Sequence, residues 1–142
     1  MQLHVIEVAV NANIAKSPFG SLPIRILLVD DDDALRRVLE RMLRRHGFHV
    51  EYAANGGEGW NTLRQANFDL LITDYNMPEM NGIQLVRKLR SSGYSIPVIL
   101  ISAKLDDATL QEAESLGKVV TLIKPFQVSV LVETILSALD AG

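Results

Sequence analysis

The 142-residue sequence contains no cysteine, which excludes disulfide bonds and thiolate metal sites. This is compatible with a reducing compartment, and we expect a cytoplasmic protein. No uninterrupted apolar stretch approaches the roughly 20 residues of a membrane-spanning helix, so we expect no membrane insertion. Basic residues are also few: 14 oppose 17 acidic ones, giving a net charge of −3. That balance argues against direct binding of nucleic acid, which requires a basic surface.

A glycine-rich phosphate loop is missing after every predicted strand, which argues against the Rossmann and P-loop nucleotide folds. What is present is a 48% hydrophobic composition, enough for one domain with a substantial core. The first 23 residues differ from the rest. No basic region precedes their apolar run, so a secretory signal is a poor fit, and residues 17–23 have linker composition. We predict an N-terminal extension and linker over residues 1–23 and a single domain over residues 24–142.

From Ile24 onward, apolar runs alternate with helical periodicity five times. This alternation predicts a doubly wound α/β domain, a parallel sheet with right-handed crossovers and helices on both faces. The predicted strands are Ile24–Val29, Val50–Ala54, Leu70–Asp74, Val98–Ile101 and Val119–Ile123. The first helix places Leu35, Val38, Leu39, Met42 and Leu43 on one face and ends at Gly47, and the third, fourth and fifth helices cover about Ile83–Ser91, Asp107–Leu116 and Val128–Leu139.

Asp74 ends the most apolar of these strands. Leu70–Ile72 has no polar alternation, which is typical of a strand buried on both faces. Pro78 and Gly82 then break the strand before the next helix. In open α/β sheets, ligands bind at the carboxyl ends of the strands, which makes Asp74 a candidate site residue. The alternative at this point is that Asp74 only caps a turn.

Three other strand ends carry polar groups: Asp30 and Asp31 follow the first strand, Ser102 the fourth and Lys124 the fifth. Neighbouring strands lie about 4.8 Å apart, so these side chains can meet and share one ion. Crowded carboxylates need a raised pKa or a bound cation, and oxygen ligands suit Mg²⁺. Lys124 and Ser102 could contact a phosphoryl group carried by Asp74. The sequence therefore predicts a phosphoryl-transfer site with Asp74 as nucleophile.

Four motifs carry a family resemblance: VDDDDALRR, TDYNMPEMNG, ISA and IKPF occur in this order at successive strand ends. Together they resemble the receiver domain of bacterial two-component response regulators, and the single-domain chemotaxis receivers in particular. The resemblance covers about Ile24 to Asp140. It implies a flavodoxin-like (βα)5 domain with a five-stranded parallel sheet of order 2-1-3-4-5.

The resemblance also implies residue roles. Asp74 would be the phosphoacceptor and a Mg²⁺ ligand, Asp31 a direct Mg²⁺ ligand, and Asp30 a ligand mostly through water. The backbone carbonyl of Asn76 would complete the protein ligands. Ser102 would be the switch hydroxyl.

Lys124 would contact the phosphoryl group, and the Lys124–Pro125 bond is expected to be cis. Thr121 departs from the family, which usually has Tyr or Phe three residues before the lysine. A threonine cannot swing an aromatic ring, so the usual hydroxyl–aromatic readout is in doubt at this position. Lys104 and Asn76 flank the site, and we expect them to affect the lifetime of the acyl phosphate.

As partners, the resemblance implies a sensor histidine kinase or a histidine phosphotransfer protein as phosphoryl donor. An unknown downstream protein would read a conformational change of the face formed by the fourth helix, fifth strand and fifth helix. The protein would not be a classical enzyme, although it would catalyse its own phosphorylation and slow autodephosphorylation. The sequence leaves open whether it forms a homodimer.

Several alternatives stay open. The chain could be the receiver of a longer transcriptional regulator or hybrid kinase, or an interaction module that is never phosphorylated. It could also be a phosphatase of the haloacid-dehalogenase type, whose DxDx(T/V) signature would start at Asp30. Ala34 then stands where Thr or Val belongs.

Asp32 and Asp33 are interpreted as first-turn residues of the first helix. The solvated side of that helix is predicted to carry Arg36, Arg37, Arg41, Arg44 and Arg45.

Overall fold

The structure is a computed structural model that describes residues 22–141, in which five strands alternate with five helices. The strands are β1 (Arg25–Val29), β2 (His49–Ala53), β3 (Leu70–Asp74), β4 (Val98–Ser102) and β5 (Val119–Ile123). The helices are α1 (Asp33–Arg45), α2 (Gly56–Gln65), α3 (Gly82–Ser91), α4 (Asp107–Leu116) and α5 (Val128–Asp140). The predicted N-terminal extension lies outside the described residues except for Leu22 and Pro23. None of these five helices is long and apolar enough to cross a membrane.

All strand pairs are parallel, and the sheet order is β2-β1-β3-β4-β5. This confirms the predicted doubly wound α/β fold and the strand order that the resemblance implied. The register pairs Val29 with Thr73 and Asp74 with Ile101. The carboxyl ends of β1, β3 and β4 are therefore level with one another.

The two faces of the sheet pack against different helices. Since successive side chains of a strand point to opposite faces, each strand contributes to both cores. Ile26 and Leu28 of β1 point into a core shared with α1 and α5. Leu27 and Val29 point into a second core shared with α2 and α3. A smaller cluster of Ile83, Leu100 and Ala113 joins α4 to the second face. Every residue of β3 and β4 is buried, as their apolar sequences predicted.

Helix starts follow from local sequence. Asp32, Asn55, Asn81 and Asp106 each precede a helix, and each side chain accepts a hydrogen bond from a backbone N–H of the first turn. Asp106 explains why α4 forms at the predicted Asp107–Leu116 despite its weak periodicity. The predicted bounds of β3 and β5 match the structure, and those of β1, β2 and β4 differ by one residue, as is common at element ends.

The predicted faces of α1 need a correction. Val38, predicted to face the core, is 52% exposed, whereas Arg36, predicted to be solvated, is only 7% exposed. The buried stripe consists of Arg36, Leu39 and Leu43, at i, i+3 and i+7. The helix is therefore rotated on the sheet relative to the orientation that its apolar residues alone suggest.

Gly82 gives a test of how tightly α3 packs beside Asp74. A Cβ at Gly82 would lie 2.5 Å from the carbonyl oxygen of Asp74 and 2.6 Å from Cδ1 of Leu100. Because overpacking of this kind costs about 1–3 kcal/mol, we expect Gly82→Ala to lower the free energy of unfolding by that amount in urea denaturation. Gly57→Ala is the control, since its nearest neighbouring atom lies 3.4 Å away. Equal loss of stability in the two variants would contradict the packing described here.

Candidate functional site

The strand ends are held in place by main-chain hydrogen bonds that continue beyond the strands. The N–H of Asp30 donates to a carbonyl of β2 at 3.2 Å, and the N–H of Tyr75 donates to Ile101 at 2.8 Å. The N–H of Lys124 donates to the carbonyl of Ser102 at 2.8 Å. The residues that follow β1, β3 and β5 are thus fixed by the backbone of the sheet.

Three carboxylates meet at this edge. Asp30, Asp31 and Asp74 each offer an oxygen atom, and these atoms lie within 4.8 Å of one another. Asp30 and Asp74 are only 2% and 6% exposed, whereas Asp31 is open to solvent. The structure therefore brings together the acidic residues that the sequence placed at the ends of neighbouring strands.

Lys124 completes the cluster from the end of β5. Its Nζ lies 3.1 Å from Oδ1 of Asp74, and its side chain remains 29% exposed. The contact is an ion pair, and it lowers the pKa of Asp74 against the effect of burial. Within residues 22–141 no aligned hydrogen-bond donor reaches this buried Oδ1, so Lys124 is its one close polar neighbour there.

Ser102 lies at the end of β4, as predicted, and is buried. Its hydroxyl, however, donates to the carbonyl of Lys104 at 2.9 Å and accepts from the N–H of Lys104 at 3.2 Å. The side chain is therefore bound to its own loop rather than to Asp74. Before this hydroxyl can donate to a group on Asp74, its hydrogen bond to the carbonyl of Lys104 has to break.

The remaining predicted positions surround the cluster. Asn76 and Lys104 are exposed, which places both side chains in solvent next to the site. Thr121 is half-buried in the middle of β5. The Lys124–Pro125 bond is cis, as the resemblance implied. The roles of Asn76, Lys104 and Thr121 stay predictions.

Burial shifts the acidity of the two enclosed carboxyls. Desolvation raises the pKa of Asp30, and the charge of Asp74 raises it further, while the N–H of Asp32, 2.8 Å from Oδ1, opposes the shift. Desolvation also raises the pKa of Asp74, with Lys124 acting in the opposite direction. The ionised form of both carboxyls is therefore less stable, relative to the protonated form, than in an exposed aspartate.

Arg36 is a supporting residue that sequence reasoning missed. Its Nη1 donates to the backbone carbonyl of Asp30 at 3.1 Å, and its Nη2 pairs with Asp33. The guanidinium thus ties the loop that carries Asp30 and Asp31 to the first turn of α1. Its spacing from Leu39 and Leu43 was the available signal, because i, i+3 and i+7 share one helix face.

Asp32 and Asp33 behave as interpreted from the sequence. Asp32 caps α1 through a hydrogen bond from the N–H of Leu35 at 3.1 Å. Asp33 is the first residue of the helix and pairs with Arg36 and Arg37. Neither belongs to the cluster around Asp74.

Comparison with known proteins agrees with this geometry. The family model described as response regulator receiver domain matches residues 26–136. The chain belongs to this family. The receiver is 41% identical over 115 residues to the chemotaxis protein CheY1 of Helicobacter pylori, covering 78% of this chain and 92% of that protein. It is 36% identical over 101 residues to the transcriptional regulatory protein SrrA of Staphylococcus aureus, covering 71% of this chain.

Solved structures show the same fold. The receiver superposes with a TM-score of 0.76 on the chemotaxis protein CheY4 of Vibrio cholerae, at 32% identity and with 81% of this chain and 98% of that chain covered. The TM-score is 0.79 for a CheY-like receiver from Methanospirillum hungatei JF-1, at 29% identity, covering 83% of this chain and 94% of that chain.

Family membership decides between the receiver and the phosphatase that the sequence had left open. The chain is a two-component response regulator receiver, and the haloacid-dehalogenase alternative is not retained. It spans 92% of CheY1 but only 42% of SrrA and 18% of the protein RcaC of Microchaete diplosiphon. The receiver unit is therefore what these relatives share with this chain.

Asp30 gives a pH-dependent test of the buried charge. Because its pKa is raised on folding, the folded state binds a proton more readily than the unfolded state. The free energy of unfolding should then fall as pH rises from the ordinary aspartate range through the raised pKa, and stay low above it. In EDTA at pH 7 we expect Asp30→Asn to unfold at higher urea concentration than the unmodified protein. Asp107→Asn, on the exposed first turn of α4, is the control, and an equal gain from it would contradict the assignment.

Arg36 gives a test of the loop support. Loss of hydrogen bonds from a buried charged donor costs about 1–3 kcal/mol, so we expect Arg36→Gln to lower the free energy of unfolding by that amount. Arg37→Gln is a matched control, since Arg37 also pairs with Asp33, at 3.1 Å, but is 76% exposed. Its effect should stay within about 0.5 kcal/mol in the same urea experiment. A reversed order of the two variants would show that Arg36 does not hold the loop.

Proposed function

We propose that this receiver accepts a phosphoryl group on Asp74 from a phosphohistidine of a sensor histidine kinase or histidine phosphotransfer protein. The observation that carries the proposal is the environment of Oδ1 of Asp74. This oxygen is buried, free of hydrogen bonds within residues 22–141, and 3.1 Å from Nζ of Lys124. A nucleophilic carboxylate beside a fixed cation is what acyl phosphate formation requires.

The acidic cluster fits a Mg²⁺ ion. Carboxylate oxygens within 4.8 Å of one another match the hard oxygen ligands that this ion prefers, and the unbonded oxygen of Asp74 is available to it. Asp30, Asp31 and Asp74 would hold the ion, together with the backbone carbonyl of Asn76. When bound, Mg²⁺ would supply positive charge to the oxygens of the transferred phosphoryl group.

The covalent step is a displacement at phosphorus. A carboxylate oxygen of Asp74 forms a P–O bond while the P–N bond to the donor imidazole breaks. The electron pair of that bond returns to the imidazole nitrogen, which takes up a proton. Slow autodephosphorylation ends the phosphorylated state. Water attacks phosphorus, the P–O bond to Asp74 breaks, and the carboxylate and inorganic phosphate are released.

Two side chains would stabilise the phosphorylated state. Lys124 is already within ion-pair distance of Asp74 and would turn its ammonium group to a phosphoryl oxygen. Ser102 would exchange its hydrogen bond to the carbonyl of Lys104 for one to the phosphoryl group. That exchange frees the loop between β4 and α4.

The signal would then reach the face formed by α4, β5 and α5. β5 is an edge strand whose Val120 and Ile123 are exposed, and α5 exposes Val130. Phosphorylation would shift the population between two arrangements of this face, and a downstream protein would read the change. Because Thr121 has no ring to move, the displaced β4–α4 loop would carry more of the readout than the usual aromatic.

Acetyl phosphate tests the proposal without the cognate donor. With Mg²⁺ we expect intact-mass spectrometry to show the addition of one phosphoryl group to the unmodified protein. With EDTA in place of Mg²⁺, or in Asp74→Asn, the addition should be lost, because the metal charge or the nucleophile is missing. Asp69→Asn is the control, since Asp69 precedes β3 at the opposite end of the strand. It should be phosphorylated like the unmodified protein.

Phosphorylation that persists in Asp74→Asn would assign the modification to another residue. A protein that gains no phosphoryl group under any of these conditions would also contradict the proposal. The urea midpoint of each variant should be measured alongside, so that loss of folding is not mistaken for loss of the nucleophile.

A further inference from the structure

We propose that the groove between α1 and β2 is a docking site for an acidic segment of a partner protein. The groove has a volume of about 550 Å³. It is lined by five arginines of α1 (Arg36, Arg37, Arg41, Arg44 and Arg45), with Glu40 and Tyr52 beside them. We call it the arginine groove. This surface goes beyond the proposed phosphorylation chemistry, which takes place at the carboxyl ends of the strands.

The charge of α1 is opposite to that of the chain. The segment Asp33–Arg45 contains five arginines and only two carboxylates, Asp33 and Glu40, so its local charge is +3. The whole chain has a net charge of −3. Positive charge is thus concentrated on one helix of an otherwise acidic protein, which favours encounter with an acidic ligand at this place.

Part of this charge is not neutralised by the protein itself. In the range 22–141, Arg41 and Arg45 form no ion pair, whereas Arg36 and Arg37 share Asp33, and Arg44 lies 3.9 Å from Glu40. Both unpaired side chains are carried by exposed residues. Their guanidinium groups can therefore bind carboxylates in the bidentate geometry that arginine favours.

Tyr52 gives the groove an aromatic wall. It is 53% exposed, and the guanidinium carbon of Arg36 lies 4.4 Å from its ring centroid. Arg36 is itself held by Asp30 and Asp33, so the guanidinium group stacked on Tyr52 has fixed partners. Tyrosine and arginine are the residue types enriched at binding hot spots, where lysine is depleted, and this groove contains no lysine.

The dimensions favour an elongated protein segment. From Arg37 to Arg45 the helix rises about 12 Å, with positive side chains one turn apart. A partner helix with carboxylates at i, i+4 and i+8 repeats that spacing. The chain is acidic outside α1 and would repel the dense negative charge of a nucleic acid. A short acidic protein segment is therefore favoured over nucleic acid as the ligand.

The arginine groove is also distinct from the surface beside the phosphoacceptor. Leu35, Val38 and Phe126 line an apolar groove with Lys124 on the other side of α1. A partner in the arginine groove therefore leaves the approach to Lys124 and Asp74 open. Docking there and phosphorylation can occur at the same time.

Fluorescence anisotropy with the full chain tests this docking. The probe is a labelled helical peptide of about 15 residues with glutamates at i, i+4 and i+8, and its glutamine counterpart is the reference ligand. We expect the glutamate peptide to bind and the glutamine peptide not to bind. Arg41→Gln combined with Arg45→Gln should weaken binding about fivefold to tenfold through the loss of two charge pairs. The matched control, Arg64→Gln combined with Lys118→Gln, removes the same charge elsewhere and should bind normally.

Several results would overturn the proposal. These are equal binding of the two peptides, no binding of either, or equal loss of binding in the two double variants. Stronger binding of tripolyphosphate or of a short DNA duplex than of the glutamate peptide would assign the groove to a different ligand. Phosphorylation by acetyl phosphate should be unchanged in the Arg41 and Arg45 double variant, and its loss would show that the two sites are not distinct.

Discussion

Confinement of three carboxylates at one edge of a buried parallel sheet is the constraint on which the rest of the structure depends. Burial and mutual repulsion both disfavour the charged forms of Asp30 and Asp74. The strand ends that carry Asp30 and Asp74 cannot move apart, because main-chain hydrogen bonds hold them in register. Only Lys124 opposes the repulsion from within the described chain at ion-pair distance. A cation bound among these oxygens would therefore relieve the repulsion.

Neighbouring positions keep this arrangement in place. Gly82 allows α3 to begin against the carbonyl of Asp74, where any Cβ would collide. Arg36 fixes the carbonyl of Asp30 from the first turn of α1. Ser102 is held by Lys104, so its hydroxyl has to change partners before it can contact Asp74. Each residue links the acidic cluster to a different helix or loop.

The surface of the receiver is divided by chemistry. The edge of the sheet is acidic, α1 carries the arginine groove, and β5 exposes apolar side chains. The loop between Ser102 and α4 starts at the acidic edge, where Ser102 is hydrogen-bonded to Lys104. The arginine groove lies next to β2, which is the edge strand at the opposite end of the sheet from β5. Two partners could thus be bound by separate faces.

The sequence alone determined the strands, the helices and the residues at the carboxyl ends of the strands. Continuous apolar runs such as Leu70–Ile72 and caps such as Asp106 are local signals, and parallel topology then brings Asp30, Asp74 and Lys124 to one edge. Only the tertiary structure decided that Arg36 is buried while Val38 is exposed, because periodicity defines a helix face but not its rotation on the sheet. The partner of the Ser102 hydroxyl was likewise set by the path of the β4–α4 loop. Ser102 and Lys104 are only two residues apart, but the backbone conformation that brings them together has no periodic sequence signal.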